Sequence, residues 1–165
     1  MSAEDHNLDT PLSRVEEEVI SYFCDGVRIL GLPKSIGEIY GLLFISAEPL
    51  SLDDLVNKLN ISKGSTSQGL KFLRNLGAIH GDEVDRKSYY SPELNFKRLV
   101  GGFIKEEIQP HLQSGQEKLK LINNTIKKEQ DHETAKLYAE RFEKMERWTK
   151  QAKVILPLLQ RVLNS

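Results

Sequence analysis

Apolar residues recur at intervals of three and four along most of the chain, a spacing that is typical of amphipathic helices. The first such stretch begins at Ser13, because Ser13 and Glu16 have the spacing of a capping box. Gly31 and Pro33 end this stretch and start the next helix. The apolar stripe of the first helix consists of Val15, Val19, Tyr22, Phe23, Val27 and Leu30.

The C-terminal part of the chain has the same periodicity over a greater length. Leu94 to Gln109 has a helical pattern, which we expect Pro110 to interrupt or kink. A short stripe follows, formed by Leu119, Ile122 and Ile126. A long stripe comes last, formed by Tyr138, Phe142, Met145, Trp148, Ala152, Ile155, Leu159 and Val162. We expect Pro157 to bend the last turns of this final helix.

Between these flanks, Ser51 to Gly77 has the start and stop signals of two short helices joined by a tight turn. Ser51 is a capping residue, and the two acids that follow Leu52 suit the positive end of a helix dipole. Asn60 tolerates a left-handed conformation and ends the first helix, while Ser62 caps the second. A turn of about three residues is typical of a helix-turn-helix. The apolar positions of the two helices are Leu52, Leu55, Val56, Leu59, Leu70, Leu73 and Leu76.

A hairpin follows the second of these helices. Residues 78–81 and 88–91 have the pattern of two short strands, and residues 82–87 form a charged tip. This order of elements is that of a winged helix-turn-helix, which places one helix in the major groove of DNA. The sequence therefore predicts a mostly α fold with a small β-wing, in which the winged helix-turn-helix is flanked by N- and C-terminal dimerisation helices.

One face of the second helix carries neither acids nor, apart from nearby Phe72, large apolar groups. Gln68 can pair with adenine, Lys71 can reach a guanine edge or a phosphate, and Ser65 can donate to either base. Gly64 lets the backbone approach a phosphate. The predicted DNA contacts are Ser62, Lys63, Gly64, Ser65, Ser67, Gln68, Lys71 and Arg74 on the helix, and Arg86 and Lys87 on the wing. A solvated polar face without a ligand is the alternative explanation of the same residues.

Three segments carry a family resemblance. Residues 32–43 (LPKSIGEIYGLL), 48–55 (EPLSLDDL) and 61–70 (ISKGSTSQGL) resemble the GbsR branch of the MarR-type transcription regulators. The resemblance extends to Leu112, through Gly101-Gly102-Phe103 and residues 108–112. It implies a homodimeric repressor that binds promoter DNA; in the family's named member the effector is choline. The wing departs from the family pattern, since it is shorter and more acidic.

Charge and length agree with a local DNA-binding face. The chain has 165 residues and a formal net charge of −1, so the whole molecule is not a basic nucleic-acid binder. The charged residues between Ile61 and Gly81 are nevertheless all positive: Lys63, Lys71 and Arg74. We predict a flexible N-terminus over 1–12, a dimerisation helix over 13–31, the DNA-binding domain over 32–93, and a helical dimerisation region over 94–165.

Other functions find little support in the sequence. No catalytic or nucleotide-binding motif is present, and the four histidines are dispersed, so we predict neither an enzyme, a cofactor nor a metal site. The single Cys24 fits a reducing compartment and is expected to be an inert core thiol. The polar N-terminus and the short apolar runs lead us to expect a cytoplasmic protein without a membrane span.

The sequence leaves open whether the protein binds a small-molecule effector and whether it has a function other than DNA binding. A choline-like cation needs a cage of aromatic rings, although core packing explains most of the aromatic residues equally well. The aromatic residues available are Tyr22, Phe23, Tyr40, Phe44, Phe103, Tyr138, Phe142 and Trp148. The alternative function is a winged-helix adaptor that binds other proteins and does not read DNA.

Overall fold

The computed structural model describes residues 10–165, without the side chain of Asn164. The chain is mostly helical with a three-stranded antiparallel sheet, which confirms the predicted fold class. It forms two compact units, one that extends to Leu99 and one from Val100 to Ser165. Most of the flexible segment predicted over residues 1–12 lies outside the described residues.

The first two helices are α1 (Arg14–Ile29) and α2 (Lys34–Ile45), and they pack closely. The predicted capping box opens α1, with the Ser13 hydroxyl accepting from the Glu16 N–H at 3.2 Å. A Cβ on Gly37 would lie 2.6 Å from the Cα of Cys24, so α2 can approach α1 this closely only because that position carries no side chain.

The helix-turn-helix follows as α3 (Leu52–Leu59) and α4 (Lys63–Asn75), after the short strand β1 (Leu50–Ser51). The predicted start and stop signals of these helices are confirmed. The Ser51 N–H donates to the Asp54 carboxylate at 2.7 Å, and the Asp54 N–H donates back to the Ser51 hydroxyl at 3.3 Å. Asn60 is left-handed at φ +52°, and Gly77 ends the second helix at φ +68°.

The wing differs from the predicted two-stranded ribbon in two ways. Strands β2 (Ile79–Val84) and β3 (Lys87–Pro92) pair antiparallel and extend to a two-residue turn, Asp85-Arg86, with both φ values positive. The predicted tip over residues 82–87 is therefore mostly strand. The third strand, β1, pairs with β3 in the order β1-β3-β2, and two residues are too few to show an alternating pattern.

The core of the first unit lies between α2, the helix-turn-helix and the base of the wing. The predicted apolar positions Leu55, Leu70, Leu73 and Leu76 are all buried, and Thr66 is buried beside them. The other buried apolar residues of this core include Ile36, Ile39, Tyr40, Leu42, Leu43, Ala78 and Ile79. The recognition-helix candidate α4 is thus fixed on one side by α2 and exposed on the other.

The remaining helices are α5 (Phe96–Phe103), α6 (Gln109–Ile126) and α7 (His132–Asn164). The expected effect of Pro110 takes the form of a π-helical segment (Ile104–Ile108), which interrupts the α-helical pattern between α5 and α6 while the chain stays helical. The Gln109 N–H donates to the Ile104 carbonyl, five residues back, so the wider turn accommodates a proline that has no N–H. Pro157 lies inside α7.

Candidate nucleic-acid interface

The start of α4 is fixed by its cap. The Ser62 hydroxyl accepts from the Ser65 N–H at 3.1 Å and also lies 2.9 Å from the Ser65 hydroxyl. The buried Thr66 hydroxyl donates to the Ser62 carbonyl at 2.9 Å. Three bonds therefore hold the first turn of α4 in one conformation, with the helix N-terminus facing solvent.

The structure brings the predicted helix residues together on one exposed face. The exposed residues of α4 are Lys63, Gly64, Ser65, Ser67, Gln68, Lys71, Arg74 and Asn75. The opposite side is buried at Thr66, Gly69, Leu70 and Leu73. This face contains hydrogen-bond donors and cations and no carboxylate, a composition that is complementary to the edges of bases and to phosphates.

Only one cation of this face is paired within the described part of the chain. The Lys63 ammonium lies 3.5 Å from the Asp53 carboxylate in the first turn of α3. Both side chains are largely exposed, at 74% and 60%, so the pair is weak and Lys63 can exchange its partner. Lys71 and Arg74 have no ion pair among residues 10–165 and are available to an anionic ligand.

Arg86 and Lys87 lie at the end of the wing, where both are exposed. The Lys87 ammonium lies 5.7 Å from the centre of the Tyr89 ring, within the range of a cation–π contact. The three acids of the wing are exposed too, so the tip carries more negative than positive groups. This charge balance favours α4 over the wing as the main contact surface.

A groove beside α4 was not predicted from the sequence. It has a volume of about 540 Å³ and lies between the C-terminal half of α4 and the sheet. Its lining consists of Leu52, Ser67, Leu70, Lys71, Arg74, Asn75 and Tyr90. Tyr90 belongs to β3 and is distant from α4 in sequence, so only the strand register brings it to this site.

The base of the wing is fastened by Glu93, which sequence reasoning also missed. Its carboxylate accepts from the Asn95 N–H at 2.8 Å and from the Arg98 guanidinium at 3.2 Å, and lies 3.4 Å from His80 Nε2. The hydrogen bond from Asn95, together with Arg98 and His80, holds the pKa of Glu93 below its usual value despite burial. This buried carboxylate is therefore a structural anchor for β2 and the start of α5.

The candidate effector residues are divided between the two units. In the first unit, Phe23 contacts the rings of Tyr22, Tyr40 and Phe44, with centroids 4.9 to 5.5 Å apart. Burial, and then the nearby Glu93, raise the pKa of Tyr40 to about 12, as is typical of a core residue. In the second unit, Tyr138 and Phe142 line an open cavity of about 440 Å³, together with Leu121, Ile122, Thr125, Ile126, Glu129, Arg141 and Met145. Trp148 is 65% exposed.

Cys24 is half-buried, with its thiol 3.8 Å from the Lys34 carbonyl. Burial and the neighbouring Glu38 raise its pKa, which disfavours the reactive thiolate. Residues 10–165 contain no cluster of three metal-ligating side chains. None of the helices in that range is both long and apolar enough to cross a membrane.

The chain is similar to known proteins in structure and not in sequence. No protein-family model matches the chain, and no curated protein matches its sequence. A solved structure described as the crystal structure of a transcriptional regulator is similar to it, with a TM-score of 0.58 and 17% identity. The alignment covers 88% of this chain and 98% of that chain. At this identity the similarity shows the fold, a mostly helical chain with a small antiparallel sheet of the winged-helix type.

Proposed function

We propose that this protein is a DNA-binding transcription regulator that reads a promoter sequence with α4. The observation that carries the proposal is the exposed face of α4, which has donors and cations, no acids, and a rigid capped N-terminus. A recognition helix contacts base edges mainly through its N-terminal residues. The solved regulator of similar fold adds support for this class of protein.

The residues of α4 divide into base-reading and phosphate-binding groups. Ser65 and Gln68 lie in the N-terminal half, and we assign Gln68 to pair with an adenine and Ser65 to donate to a base. Ser62 and Lys63 at the helix start, with the Gly64 backbone, lie where a phosphate meets the positive end of the helix dipole. Arg86 and Lys87 on the wing supply secondary contacts to the backbone or minor groove.

A homodimer is the second part of the proposal. The long helix α7 exposes a stripe of large apolar side chains: Trp148, Val154, Ile155, Leu158, Leu159 and Val162. Monomeric proteins rarely leave such a continuous apolar stripe in water. A second copy of the chain covers it symmetrically, and two-fold symmetry then sets two α4 helices about 34 Å apart, one DNA turn. Light scattering at micromolar concentration tests this, and a monomer mass would contradict it.

Repression and effector control complete the proposal and rest on the resemblance to the GbsR branch. A dimer that occupies a promoter excludes the polymerase, and an effector that prefers one dimer arrangement shifts the spacing of the recognition helices. The cavity at Tyr138 and Phe142 offers two aromatic rings and the Glu129 carboxylate to a choline-like cation. Trp148, the only tryptophan, lies one turn beyond Met145 of this cavity and reports choline binding by fluorescence. If the fluorescence of Trp148 does not change at millimolar choline, compared with a sodium chloride control, choline is not the effector.

The deciding experiment is binding to the DNA upstream of the protein's own gene. Wild-type protein is titrated against this DNA and a scrambled duplex across a salt series, because backbone contacts alone are lost steeply as salt rises. We expect preference for the upstream DNA to persist near physiological salt. Gln68→Ala is expected to cost about 1–3 kcal/mol and to relax the preference at one base step. Gln130→Ala, in the loop before α7, is the matched control, because it removes the same side chain far from α4 in sequence.

The alternative function is a protein–protein adaptor that uses the same exposed helix. Equal and weak binding to both duplexes, lost as salt rises, would favour it. A Gln68→Ala variant that binds both duplexes as wild type does would show that the DNA-reading face has been misassigned.

A further inference from the structure

Arg74 and Tyr90 converge on one glycine of the wing. Gly81 in β2 pairs directly with Tyr90 in β3. A Cβ on Gly81 would lie 3.3 Å from Cε1 of the Tyr90 ring and 3.6 Å from the guanidinium carbon of Arg74. The ring and the guanidinium therefore lie against the same face of β2, and the ring lies closer to position 81 than a Cβ there would normally allow.

The groove that these side chains line is rich in donors and free of carboxylates. Its polar lining residues are Ser67, Lys71, Arg74, Asn75 and Tyr90, and its apolar floor consists of Leu52 and Leu70. Arg74 and Lys71 have no ion pair, and the Tyr90 hydroxyl has no hydrogen bond, within the part of the chain that the structure describes. Two unpaired cations and one neutral donor in a small concave site are suited to a tetrahedral oxyanion.

We propose that this groove binds one phosphate of the DNA backbone, and that Gly81 is the positioning residue that lets the Tyr90 ring lie close to β2 beside Arg74. The proposal rests on the proposed function and extends it. Arg74 lies in the last turn of α4, and base edges are read from the first turns, so the groove meets the sugar-phosphate chain. Lys71 thereby becomes a phosphate ligand, and the wing contributes through its base instead of its acidic tip.

The test uses DNA in which single phosphates are replaced by neutral methylphosphonates. One backbone position is expected to weaken wild-type binding about tenfold, and the same replacement is expected to have no effect on Arg74→Ala. Arg74→Ala itself should lower the salt slope by about 1. Tyr90→Phe, which removes only the hydroxyl, should weaken binding about threefold without changing the slope.

Two further variants separate positioning from folding. Gly81→Ala removes no DNA-binding side chain, but the Tyr90 ring, 3.3 Å from the new Cβ, must move by a few tenths of an ångström. It should therefore weaken binding and reduce the methylphosphonate effect at the same position. Tyr89→Phe is the control for Tyr90→Phe, because the alternation of β3 points Tyr89 to the opposite face of the sheet. Circular dichroism tests whether each variant is folded. If Gly81→Ala does not fold, the DNA binding of Arg74→Ala and Tyr90→Phe decides whether the groove binds phosphate.

The outcomes distinguish the groove from the proposed function. If wild type reads the upstream DNA but the Arg74, Tyr90 and Gly81 variants bind like wild type, the groove proposal is wrong and the function stands. If wild type binds both duplexes equally but still loses affinity at one methylphosphonate position, the groove proposal is supported and sequence-specific recognition is contradicted. A third outcome is that inorganic phosphate binds wild type but not Arg74→Ala, while the two proteins bind DNA equally well. This result would identify a site for free phosphate and overturn the proposal. The absence of any DNA binding by wild type would overturn both.

Discussion

The hydroxyl of Tyr40 donates a 2.6 Å hydrogen bond to the backbone carbonyl of Glu93. The bond joins the centre of α2 to the residue just after β3, across 53 residues of sequence. The Glu93 N–H also donates to the Ala78 carbonyl at 2.8 Å, and its carboxylate binds the start of α5. One residue therefore ties both ends of the wing to the core that supports α4.

Tyr40→Phe is expected to lower the free energy of unfolding of the first unit by about 1–2 kcal/mol. The substitution keeps the buried ring but leaves the Glu93 carbonyl without its donor. Urea unfolding followed by far-ultraviolet circular dichroism measures it, because Trp148 lies in the other unit. Tyr22→Phe is the control, since Tyr22 is 74% exposed and should change stability little. Equal effects at the two positions would contradict the anchoring role.

Glu93 should make stability depend on pH in the acid range. Its pKa is lowered in the folded protein, first by the Asn95 N–H and then by Arg98 and His80. The unfolded state therefore binds the proton more readily, so this stabilisation is present above pH 4.5 and is lost as pH falls through the folded pKa.

The measurement is the free energy of unfolding of wild type and Glu93→Gln from pH 7 to pH 3. We expect the two curves to converge as pH falls. Arg98→Ala should retain part of the pH dependence, because the hydrogen bond from Asn95 remains. Parallel curves for wild type and Glu93→Gln would show that other groups carry the acid sensitivity.

The helix caps and turns of this fold could be predicted from the sequence, while its long-range contacts could not. The caps at Ser13, Ser51 and Ser62 and the left-handed Asn60 depend on neighbours within a few residues, and all are present in the structure. The strand β1 was missed because its partner, β3, lies some 40 residues further along the chain.

The candidate site shows the same division. The exposed face of α4 follows from its 3.6-residue period, so its membership was predicted from sequence. The convergence of Arg74 on Gly81 and Tyr90 depends on the register of the hairpin and on where the hairpin meets α4. Neither quantity is encoded in a local pattern, and the contacts of Glu93 with Tyr40, Ala78 and His80 were missed for the same reason.

Gly64→Ala should separate DNA binding from folding. A Cβ at Gly64 would meet only the Ser62 hydroxyl oxygen, at 4.0 Å, so the fold does not require this glycine. Alanine should stabilise α4 by about 0.5–1 kcal/mol, because glycine is a poor helix former. It should also weaken DNA binding severalfold if a phosphate approaches the backbone there.

Gly26→Ala is the matched control for this prediction. Gly26 lies in α1, where an added Cβ would meet nothing within 4 Å, so the gain in helix stability should be similar. Its DNA affinity should equal that of wild type. If both variants gain stability and both bind DNA normally, the phosphate does not lie against Gly64.

Asp53→Asn should increase DNA affinity by releasing Lys63. The Asp53 carboxylate competes with phosphate for the Lys63 ammonium, from which it lies 3.5 Å, and it adds negative charge beside the start of α4. We expect a twofold to fivefold gain for all duplexes alike, because a pair this exposed is worth roughly 0.2–1 kcal/mol and phosphate contacts carry no sequence information.

In the Lys63→Ala background the gain from Asp53→Asn should shrink, and Lys63→Ala alone should lower the salt slope by about 1. Glu17→Gln removes one acid from the first turn of α1 and changes the net charge equally, so it controls for the total charge. An equal gain from Glu17→Gln would show that net charge, and not the Asp53–Lys63 contact, sets the affinity.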